Sequence, residues 1–300
     1  MPPLTPTLPP ARWHHAPIRL RLSAARREMK SRAVGELGVR QGLLPLYFQL
    51  SDRWCQVGPE DDSRLSGFPI WWYWGQGPST APPIVRACLA SVQRHCTNHP
   101  VHIVDDSNLS DYIALPSFVI AKRPGFSATH FSDLLRTALL SEHGGTWIDA
   151  TVYLTAPVDG ILSQMRPSGF FAFTRPNDPF LLSSWFLATE ARNPLMALWR
   201  DLLYTYWSEH DALVHYFLLH FLFEVAVTLS DRARAAWEQV PLESYLPPHA
   251  LQERLLQPYD EGIFVRICQS TAIHKLTHKL SDERGANGPR RFLDFICDRI

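Results

Sequence analysis

The sequence predicts an α/β fold with parallel strands and a helical C-terminal half. Three observations support this class. The segments "PIWWYW", "PPIVRACLASVQRHC" and "VHIVDD" alternate as strand, helix and strand, which is the unit that builds parallel sheets. A second helix-like run, residues 127–143, ends in two glycines just before another apolar strand. From about Asn193 to about Trp237 the apolar residues recur mostly at helical spacing.

The composition is that of an ordinary globular protein. The chain has 300 residues, of which 46% are hydrophobic and 19% charged, enough for one large core. Its 29 basic residues balance 29 acidic ones, so no overall field would draw the protein onto nucleic acid. No apolar window reaches the roughly 18 residues of a membrane-spanning helix. The longest apolar run, residues 212–229, reads as a buried helix.

Residues 1–66 are predicted to be a Pro-rich and basic N-terminal extension, and residues 67–300 the main domain. Five of the first ten residues are proline, and residues 1–40 carry eight basic residues against Glu28 and Glu36. An acidic, Gly-containing stretch at 58–68 marks the domain edge. The favoured interpretation is a solvated, partly disordered leader. The alternative is peripheral contact with an anionic membrane at its inner face.

The cysteines indicate a reducing compartment, and we therefore expect a cytoplasmic protein. They form no CxxC pair, are odd in number, and are too sparse for a disulfide scaffold or a zinc cage. The five are Cys55, Cys88, Cys96, Cys268 and Cys297.

The remaining elements follow from local patterns. "SFVIAK" and "GFFAFTR" read as apolar strands, and "SATHFSDLLRTALLSEHGG" as a helix with apolar residues at helical spacing. Gly144 and Gly145 should end that helix, since glycine accepts the left-handed conformation of a helix C-terminus.

The strand "TWIDATVYL" places one acidic residue in an apolar setting. Because side chains alternate faces along a strand, the apolar set beginning with Ile148 should form a core stripe. The opposite face would hold Trp147, Asp149, Thr151 and Tyr153. We therefore expect Asp149 to face a site.

On the preceding helix, Asp133 and Arg136 lie three residues apart and so share one face. Taken alone, such a pair is a surface ion pair worth a few tenths of a kcal/mol. The helix is otherwise apolar, however, and it leads through the Gly-Gly turn into the strand that carries Asp149. We therefore expect the polar groups of helix and strand to converge.

The run "HFSDLLRTALLSEHGGTWIDATVYLT" resembles the sugar-binding region of DXD-type glycosyltransferases, and most closely the capsular polysaccharide synthesis protein family. The segments "WWYWGQGPSTAPPIVRAC", "SSWFLATEARNPL", "HYFLLHFLFE" and "IHKLTHK" are similar to further parts of that family. The resemblance covers roughly residues 68–280. It implies a GT-A type fold, a Rossmann-like mixed sheet flanked by helices that binds a nucleotide sugar where its strands end.

The resemblance also implies roles for single residues. In the donor site, Tyr73 or Trp74 would lie beside the base and Ser132 near the nucleoside. Asp133 and Arg136 would bind the sugar hydroxyls. Asp149 would face the ribose and the diphosphate, with Thr151 and Lys275 beside it. Of these, Asp133, Arg136 and Asp149 are the catalytic candidates. The acceptor side would hold Trp185, Asp211 and His215. For the last two the alternative is a helix-start carboxylate and a packed histidine.

One position departs from the usual Asp-x-Asp motif, because Thr151 stands where a second carboxylate is expected. A threonine offers a divalent cation only a neutral hydroxyl. The resemblance still implies Mn²⁺ or Mg²⁺, held by Asp149 and His274, although His274 could equally be a surface or cap histidine. Lys275 could help to stabilise charge on the leaving diphosphate.

Together these inferences predict a glycosyltransferase that moves a sugar from a nucleotide-sugar donor to a glycan or lipid-linked acceptor in surface polysaccharide synthesis. The resemblance also implies that the configuration at the anomeric carbon is retained. The alternative is a catalytically silent protein that binds nucleotide sugars or glycans. The motifs of P-loop, dinucleotide, zinc-protease and serine-hydrolase sites are absent from the sequence.

Overall fold

The computed structural model of the protein describes residues 35–50, 68–165, 168–174, 180–280 and 288–299. Most of the predicted extension, including the first 34 residues, residues 58–67 of the predicted linker and Cys55, lies outside the described residues. The disordered or membrane-bound arm and the boundary at residue 66 therefore stay predictions. Residues 35–50 form helix α1, and its Leu43, Leu46 and Leu50 are buried in the main core.

Two β-sheets are present in the described part of the chain. The strands are β1 Ile70–Tyr73, β2 Val101–Val104, β3 Gly145–Ile148, β4 Val152–Leu154, β5 Phe170–Thr174, β6 Leu182–Thr189 and β7 Ile273–Lys275. The larger sheet has the order β2-β1-β3-β6-β5, and β4 pairs with β7 in the smaller one. Strand β1 runs parallel to β2 and β3, whereas β6 is antiparallel to β3 and β5. The predicted mixed α/β class is confirmed.

Helices flank the larger sheet and dominate the C-terminal half, as predicted. After α1 they are α2 Pro83–His95, α3 Ser117–Lys122, α4 Ala128–His143, α5 Asp159–Leu162, α6 Pro194–Glu209, α7 Leu218–Leu229, α8 Asp231–Trp237, α9 Leu246–His249, α10 Glu261–Ser270 and α11 Phe292–Cys297. No helix in the described ranges combines the length and apolarity that crossing a bilayer requires.

The helix signals in the sequence act where they were expected. Pro82 and Pro83 open α2, since proline fits the first helical position. Ser127 caps α4 by accepting a hydrogen bond from the backbone N–H of His130. Gly144, at a φ of 65°, ends the same helix, and Gly145 follows at a φ of 95°. Both glycines adopt conformations that a side chain would strain.

Two predictions of local structure are wrong. "SFVIAK" is helix α3, not a strand: Pro116 occupies its N-cap, and only Val119 within it is buried. A six-residue apolar run has no clear period, so the proline decides the outcome. In the apolar run 212–229, the helix begins only at Leu218; residues 210–217 are a connection between α6 and α7.

The core lies on both faces of the larger sheet. Trp71 and Tyr73 point to the face covered by α1, α4, α6 and α7, while Ile70 packs on the opposite face with β4 and α5. Trp72 joins a third cluster with α2, α10 and α11. Because its side chains are buried alternately on the two faces, the register of β1 in the sheet is fixed. The carboxyl ends of β1, β2 and β3 consequently meet at one edge, where Trp74, Asp105 and Asp149 follow the strands.

Candidate functional site

Asp149 lies directly after β3, at a break in the chain rather than within a long strand. Its N–H donates to the carbonyl of Trp185 (2.9 Å), and its own carbonyl accepts from the N–H of Val152 (2.9 Å). The second bond closes a turn over residues 149–152. The predicted continuous strand over residues 146–154 is therefore wrong; it is two strands joined at the acid.

The break changes the predicted division of side chains. Ile148, Val152 and Leu154 do share one core, as expected. Trp147 and Tyr153, predicted on the other face together, pack in different clusters, beside α4 and beside α2 respectively. The turn rotates the chain between the strands, so a period of two cannot continue through it. Asp149 therefore lies in the turn at the sheet edge and not within a strand.

The expected convergence of helix and strand is present. The Arg136 guanidinium lies between the two acids: its Nη2 is 3.4 Å from Asp133 Oδ1 and 3.3 Å from Asp149 Oδ1. Trp147 Nε1 donates to Asp149 Oδ1 at 2.8 Å, and the Trp147 ring lies 5.0 Å from Arg136 Cζ. We call Asp133, Arg136, Asp149 and Lys275 the acid–base cluster.

Arg136 is held on several sides at once. Its side chain is only 4% exposed. The Nη1 group donates to the Ser184 carbonyl (2.6 Å), Nε to the Ser132 carbonyl (3.2 Å), and Nη2 to Ser132 Oγ (3.0 Å). Ser132, predicted near the nucleoside, thus orients the guanidinium. An arginine, with five N–H donors in a rigid plane, suits this arrangement, whereas lysine could not replace it.

The two acids of the cluster have opposite electrostatic surroundings. Burial raises the pKa of Asp133 to about 7; the Arg136 charge opposes this shift and the Asp149 charge adds to it. Burial also acts to raise the pKa of Asp149, but Lys275, Arg136 and the Trp147 hydrogen bond together bring it below its ordinary value. Asp149 is thus a stable carboxylate, while Asp133 titrates near neutral pH.

Lys275 reaches the cluster from β7. Its Nζ donates to Asp149 Oδ2 at 3.0 Å and to Thr151 Oγ1 at 2.6 Å. The antiparallel pairing of β4 with β7 places Lys275 opposite Val152. The predicted grouping of Thr151 and Lys275 with Asp149 is therefore seen in the structure.

The aromatic pair at the end of β1 borders the same edge. Tyr73 is buried, and its hydroxyl donates to Asp106 Oδ1 at 2.5 Å. Burial, and then this bond, raise the pKa of Tyr73. Trp74 is half-buried, with the His278 ring edge-on at 5.4 Å. Of the two predicted neighbours of a base, Trp74 is the more accessible.

Sequence reasoning missed Asp106 and Arg123. Arg123 Nη2 donates to Asp106 Oδ2 at 2.7 Å, and a side chain at Gly75 would collide with the Tyr73 hydroxyl, at 2.9 Å from its Cβ. The N–H of Asp106 donates to the Gly75 carbonyl at 3.0 Å, which holds the loop after β2 close to the loop after β1. Asp106 could have been found, because "VHIVDD" ends at the same sheet edge. Arg123 could not, since it directly follows helix α3, which was predicted to be a strand.

The acceptor-side candidates do not gather in one place. Trp185 is buried and stacks on Phe173 at 4.8 Å between ring centroids; its backbone carbonyl accepts a hydrogen bond from the Asp149 N–H. Asp211 is 91% exposed and pairs with Lys122 at 2.8 Å. His215 Nδ1 accepts from the N–H of Phe217, and its ring packs on Phe221. Asp211 and His215 lie in the α6–α7 connection rather than on a helix face.

His274 is buried on the other side of β7 from Lys275, its neighbour in an extended strand. Its Nε2 lies 3.1 Å from Thr155 Oγ1, and burial lowers the pKa of the imidazole to about 4. The geometry thus separates His274 from Asp149, with which it was predicted to hold a metal.

The residues around Asp149 do not fit an Mn²⁺ or Mg²⁺ site. Such ions need several oxygen ligands, but both carboxylate oxygens of Asp149 already face Lys275, Arg136 or Trp147. Thr151 Oγ1 likewise contacts Lys275. In the described ranges, no three His, Cys, Asp or Glu side chains are grouped to hold a metal ion. The divalent cation stays a prediction that this donor set does not support.

The four described cysteines, Cys88, Cys96, Cys268 and Cys297, are free thiols. Burial raises the pKa of each of them. They act as buried or half-buried packing groups, since a reactive thiol needs a lowered pKa.

Two curated proteins are similar to part of the chain. The O-glycosyltransferase braB of Annulohypoxylon truncatum is 27% identical over 158 residues, 46% of this chain and 37% of that protein. The O-glycosyltransferase PaGT of Phomopsis amygdali is 25% identical over 176 residues, 53% of this chain and 42% of that protein. The chain thus matches less than half the length of either relative.

Among solved structures, the PaToxG glycosyltransferase matches 77% of this chain and 93% of its own, with a TM-score of 0.39 and 14% identity. The apo bifunctional glycosyltransferase WbbM matches 75% of this chain and 48% of its own, with a TM-score of 0.44 and 10% identity.

A family model gives the broadest match. It describes the capsular polysaccharide synthesis proteins and covers residues 55–296, more than three quarters of the chain. The match includes every member of the acid–base cluster. The chain therefore belongs to the capsular polysaccharide synthesis protein family.

Proposed function

We propose that the protein is a GT-A type glycosyltransferase. It would move a sugar from a nucleotide-sugar donor to a glycan or lipid-linked acceptor in surface polysaccharide synthesis. The observation that carries the proposal is the convergence of Asp133, Arg136 and Asp149 at the sheet edge where three parallel strands end. Ligands of open α/β sheets bind at such edges. Membership of the family, and the names of two O-glycosyltransferase relatives, favour the same class.

The chemistry of each residue type suits a role in donor binding. A carboxylate such as Asp133 accepts directional hydrogen bonds from sugar hydroxyls. Arg136 is shared among Ser132, Ser184 and the two acids, so we assign it the positioning of both carboxylates. Asp149 would face the ribose and the diphosphate, and Trp74 would stack on the base, since a flat ring can cover a base at low entropic cost.

In the proposed reaction, the bond between the anomeric carbon and the diphosphate oxygen breaks. A new bond forms between that carbon and an acceptor hydroxyl oxygen, and the hydroxyl proton leaves to the diphosphate or to solvent. The nucleoside diphosphate departs with the bonding electron pair. Retention of configuration at the anomeric carbon, and contact of the basic N-terminal residues with an anionic membrane in the cytoplasm, belong to the proposal and rest on the sequence alone.

A panel of nucleoside diphosphate sugars tests the proposal. The protein is incubated with each, in separate arms with Mn²⁺, Mg²⁺ or EDTA, and release of nucleoside diphosphate is measured. We expect release with at least one donor. Asp149→Ala should lower it at least about 100-fold, because Arg136 and Lys275 would lose the carboxylate that holds them in place and a small displacement of catalytic groups costs that much, while the fold still melts cooperatively.

Asp231→Ala is the matched control. Asp231 is 97% exposed on α8 and pairs there with Arg234, so its loss should leave release unchanged. Unchanged release in Asp149→Ala would remove Asp149 from the mechanism. Binding of a nucleotide sugar without any release, for every donor and arm, would favour the alternative suggested by Thr151, a catalytically silent binding protein.

A further inference from the structure

The acid–base cluster contains a cation at the position that the Asp-x-Asp pattern assigns to a metal. Asp149 and Thr151 occupy the two positions of that pattern, and the side chains of both contact Lys275 Nζ, at 3.0 and 2.6 Å. A divalent ion bound to the same two side chains would have to displace this ammonium. The site therefore carries a positive charge without a divalent ion.

The ammonium of Lys275 still has capacity for a ligand. A lysine carries three N–H donors, and in the described residues Lys275 has the two hydrogen-bond acceptors Asp149 and Thr151. Its side chain is 19% exposed, and that of Asp149 is 22% exposed, so both can be reached from solvent. One donor can thus point to an anion at the sheet edge.

The charges of the cluster favour an anionic ligand. Lys275 and Arg136 contribute two positive charges, while Asp149 contributes one negative charge. Asp133, which burial keeps partly protonated near neutral pH, contributes less than a full negative charge. The surplus is positive, and a partly buried positive charge binds a diphosphate more strongly than a solvated one, since the local dielectric is lower.

We propose that Lys275 is the resident cation of this site and binds the diphosphate of the donor in place of a divalent metal ion. This inference rests on the proposed function. When the anomeric carbon–oxygen bond breaks, the electron pair stays on the diphosphate, and the Lys275 ammonium stabilises that developing charge through a charge-assisted hydrogen bond. The sugar passes to the acceptor oxygen as described above, and Lys275 keeps its protons.

The test compares turnover and anion binding without metal. Wild-type protein in EDTA should release nucleoside diphosphate within about threefold of its rate with Mn²⁺, less than the loss expected for a removed charge-stabilising group. Calorimetry in EDTA should detect binding of inorganic pyrophosphate, a probe that carries no base or sugar. Lys275→Met should weaken this binding at least about tenfold, since a charge-assisted bond is lost.

Two further variants make the result specific. Lys275→Arg keeps the charge and should retain measurable binding and turnover, whereas Lys275→Met should lower turnover by about 100-fold. Arg232→Met removes an exposed cation from α8 and should change neither. Cooperative melting of each variant checks the fold.

The inference is overturned if EDTA abolishes turnover and Mn²⁺ restores it, or if Lys275→Met binds pyrophosphate as tightly as wild type. These outcomes differ from failure of the proposed function. If the proposed function fails, no nucleotide sugar is turned over in any arm, and the pyrophosphate measurement still decides whether Lys275 forms an anion site.

Discussion

At the scale of single residues, the arrangement depends on a guanidinium between two carboxylates. Arg136 lies within 3.4 Å of both Asp133 and Asp149. Such a buried array is costly to break, because removing one charge leaves another without its partner in a low dielectric. The acids differ in their remaining neighbours: Lys275 supports the charge of Asp149, and in the described residues its ammonium donates to Asp149 and Thr151. This asymmetry makes one acid permanently ionised and the other titratable.

The titration of Asp133 gives a prediction for stability. Its pKa is raised from an ordinary value of 3.8 to about 7 in the folded protein. Between these values the folded state holds a proton that the unfolded state releases, so stability falls as pH rises through the window and the loss is complete above the folded pKa. Asparagine has no such titration. From pH 5 to pH 8, wild type should lose about 2 to 3 kcal/mol relative to Asp133→Asn.

Denaturant unfolding of both proteins at several pH values measures this difference, since the other titrating groups are common to the pair. Parallel stability profiles would show that Asp133 is ionised throughout.

At neutral pH the same variant, Asp133→Asn, should impair donor use far more than thermal stability, as expected if the carboxylate accepts hydrogen bonds from sugar hydroxyls.

The sequence predicted the meeting of Asp133, Arg136 and Asp149 because both spacings are local. Residues three positions apart on a helix share a face, and a Gly-Gly turn brings the next strand back along that helix. His274 illustrates the opposite case. Its face depends on the register of β7 against β4, more than 100 residues away in sequence, and a shift of one residue exchanges His274 with Lys275. No local pattern determines that register.

At the scale of elements, the break between β3 and β4 places an acidic residue of an apolar segment at the site. The turn at residues 149–152 interrupts the strand, and the Gly144–Gly145 turn sets where β3 begins. Gly145 is tightly enclosed: a Cβ there would lie 2.3 Å from the Pro69 carbonyl oxygen. The strand interruption was not predicted from "TWIDATVYL", because the β-branched and aromatic residues on both sides of Asp149 and Ala150 favour a strand. The turn bond from the Val152 N–H to the Asp149 carbonyl is local, but the strand that follows it pairs with β7, which is distant in sequence.

Gly145→Ala should therefore destabilise the protein strongly. The left-handed φ of 95° and the collision with Pro69 both oppose a side chain, and together cost about 2 to 5 kcal/mol. Thermal melting would show a clear decrease in Tm, accompanied by loss of donor use because β3 carries Asp149 on its end.

Gly160→Ala is the matched control, since a Cβ at that α5 position meets no atom within 4 Å. Its free energy of unfolding should change by less than about 1 kcal/mol. Equal stability of the two alanine variants would contradict the account of the Gly-Gly turn.

At the scale of the whole molecule, segments distant in sequence complete the domain. Helix α1 packs its leucines into the main core, and Arg40 Nε donates to Glu224 on α7 at 2.6 Å. This part of the predicted extension is thus packed against the domain that it precedes. Composition suggested a solvated leader, because the prolines and the eight basic residues of positions 1–40 outweighed the short apolar stretch of residues 43–50. Lys275 reaches the site in the same way, from the far end of the chain.

The central claim is that a nucleotide-sugar donor binds at the acid–base cluster, and a crystal structure with a bound donor tests it most directly. We predict sugar hydroxyls within hydrogen-bond distance of the Asp133 carboxylate, and a diphosphate oxygen within that distance of Lys275 Nζ. A donor bound elsewhere, for example in the 360 Å³ cavity lined by Arg254, Arg266 and Ser270, with the cluster vacant, would contradict the account.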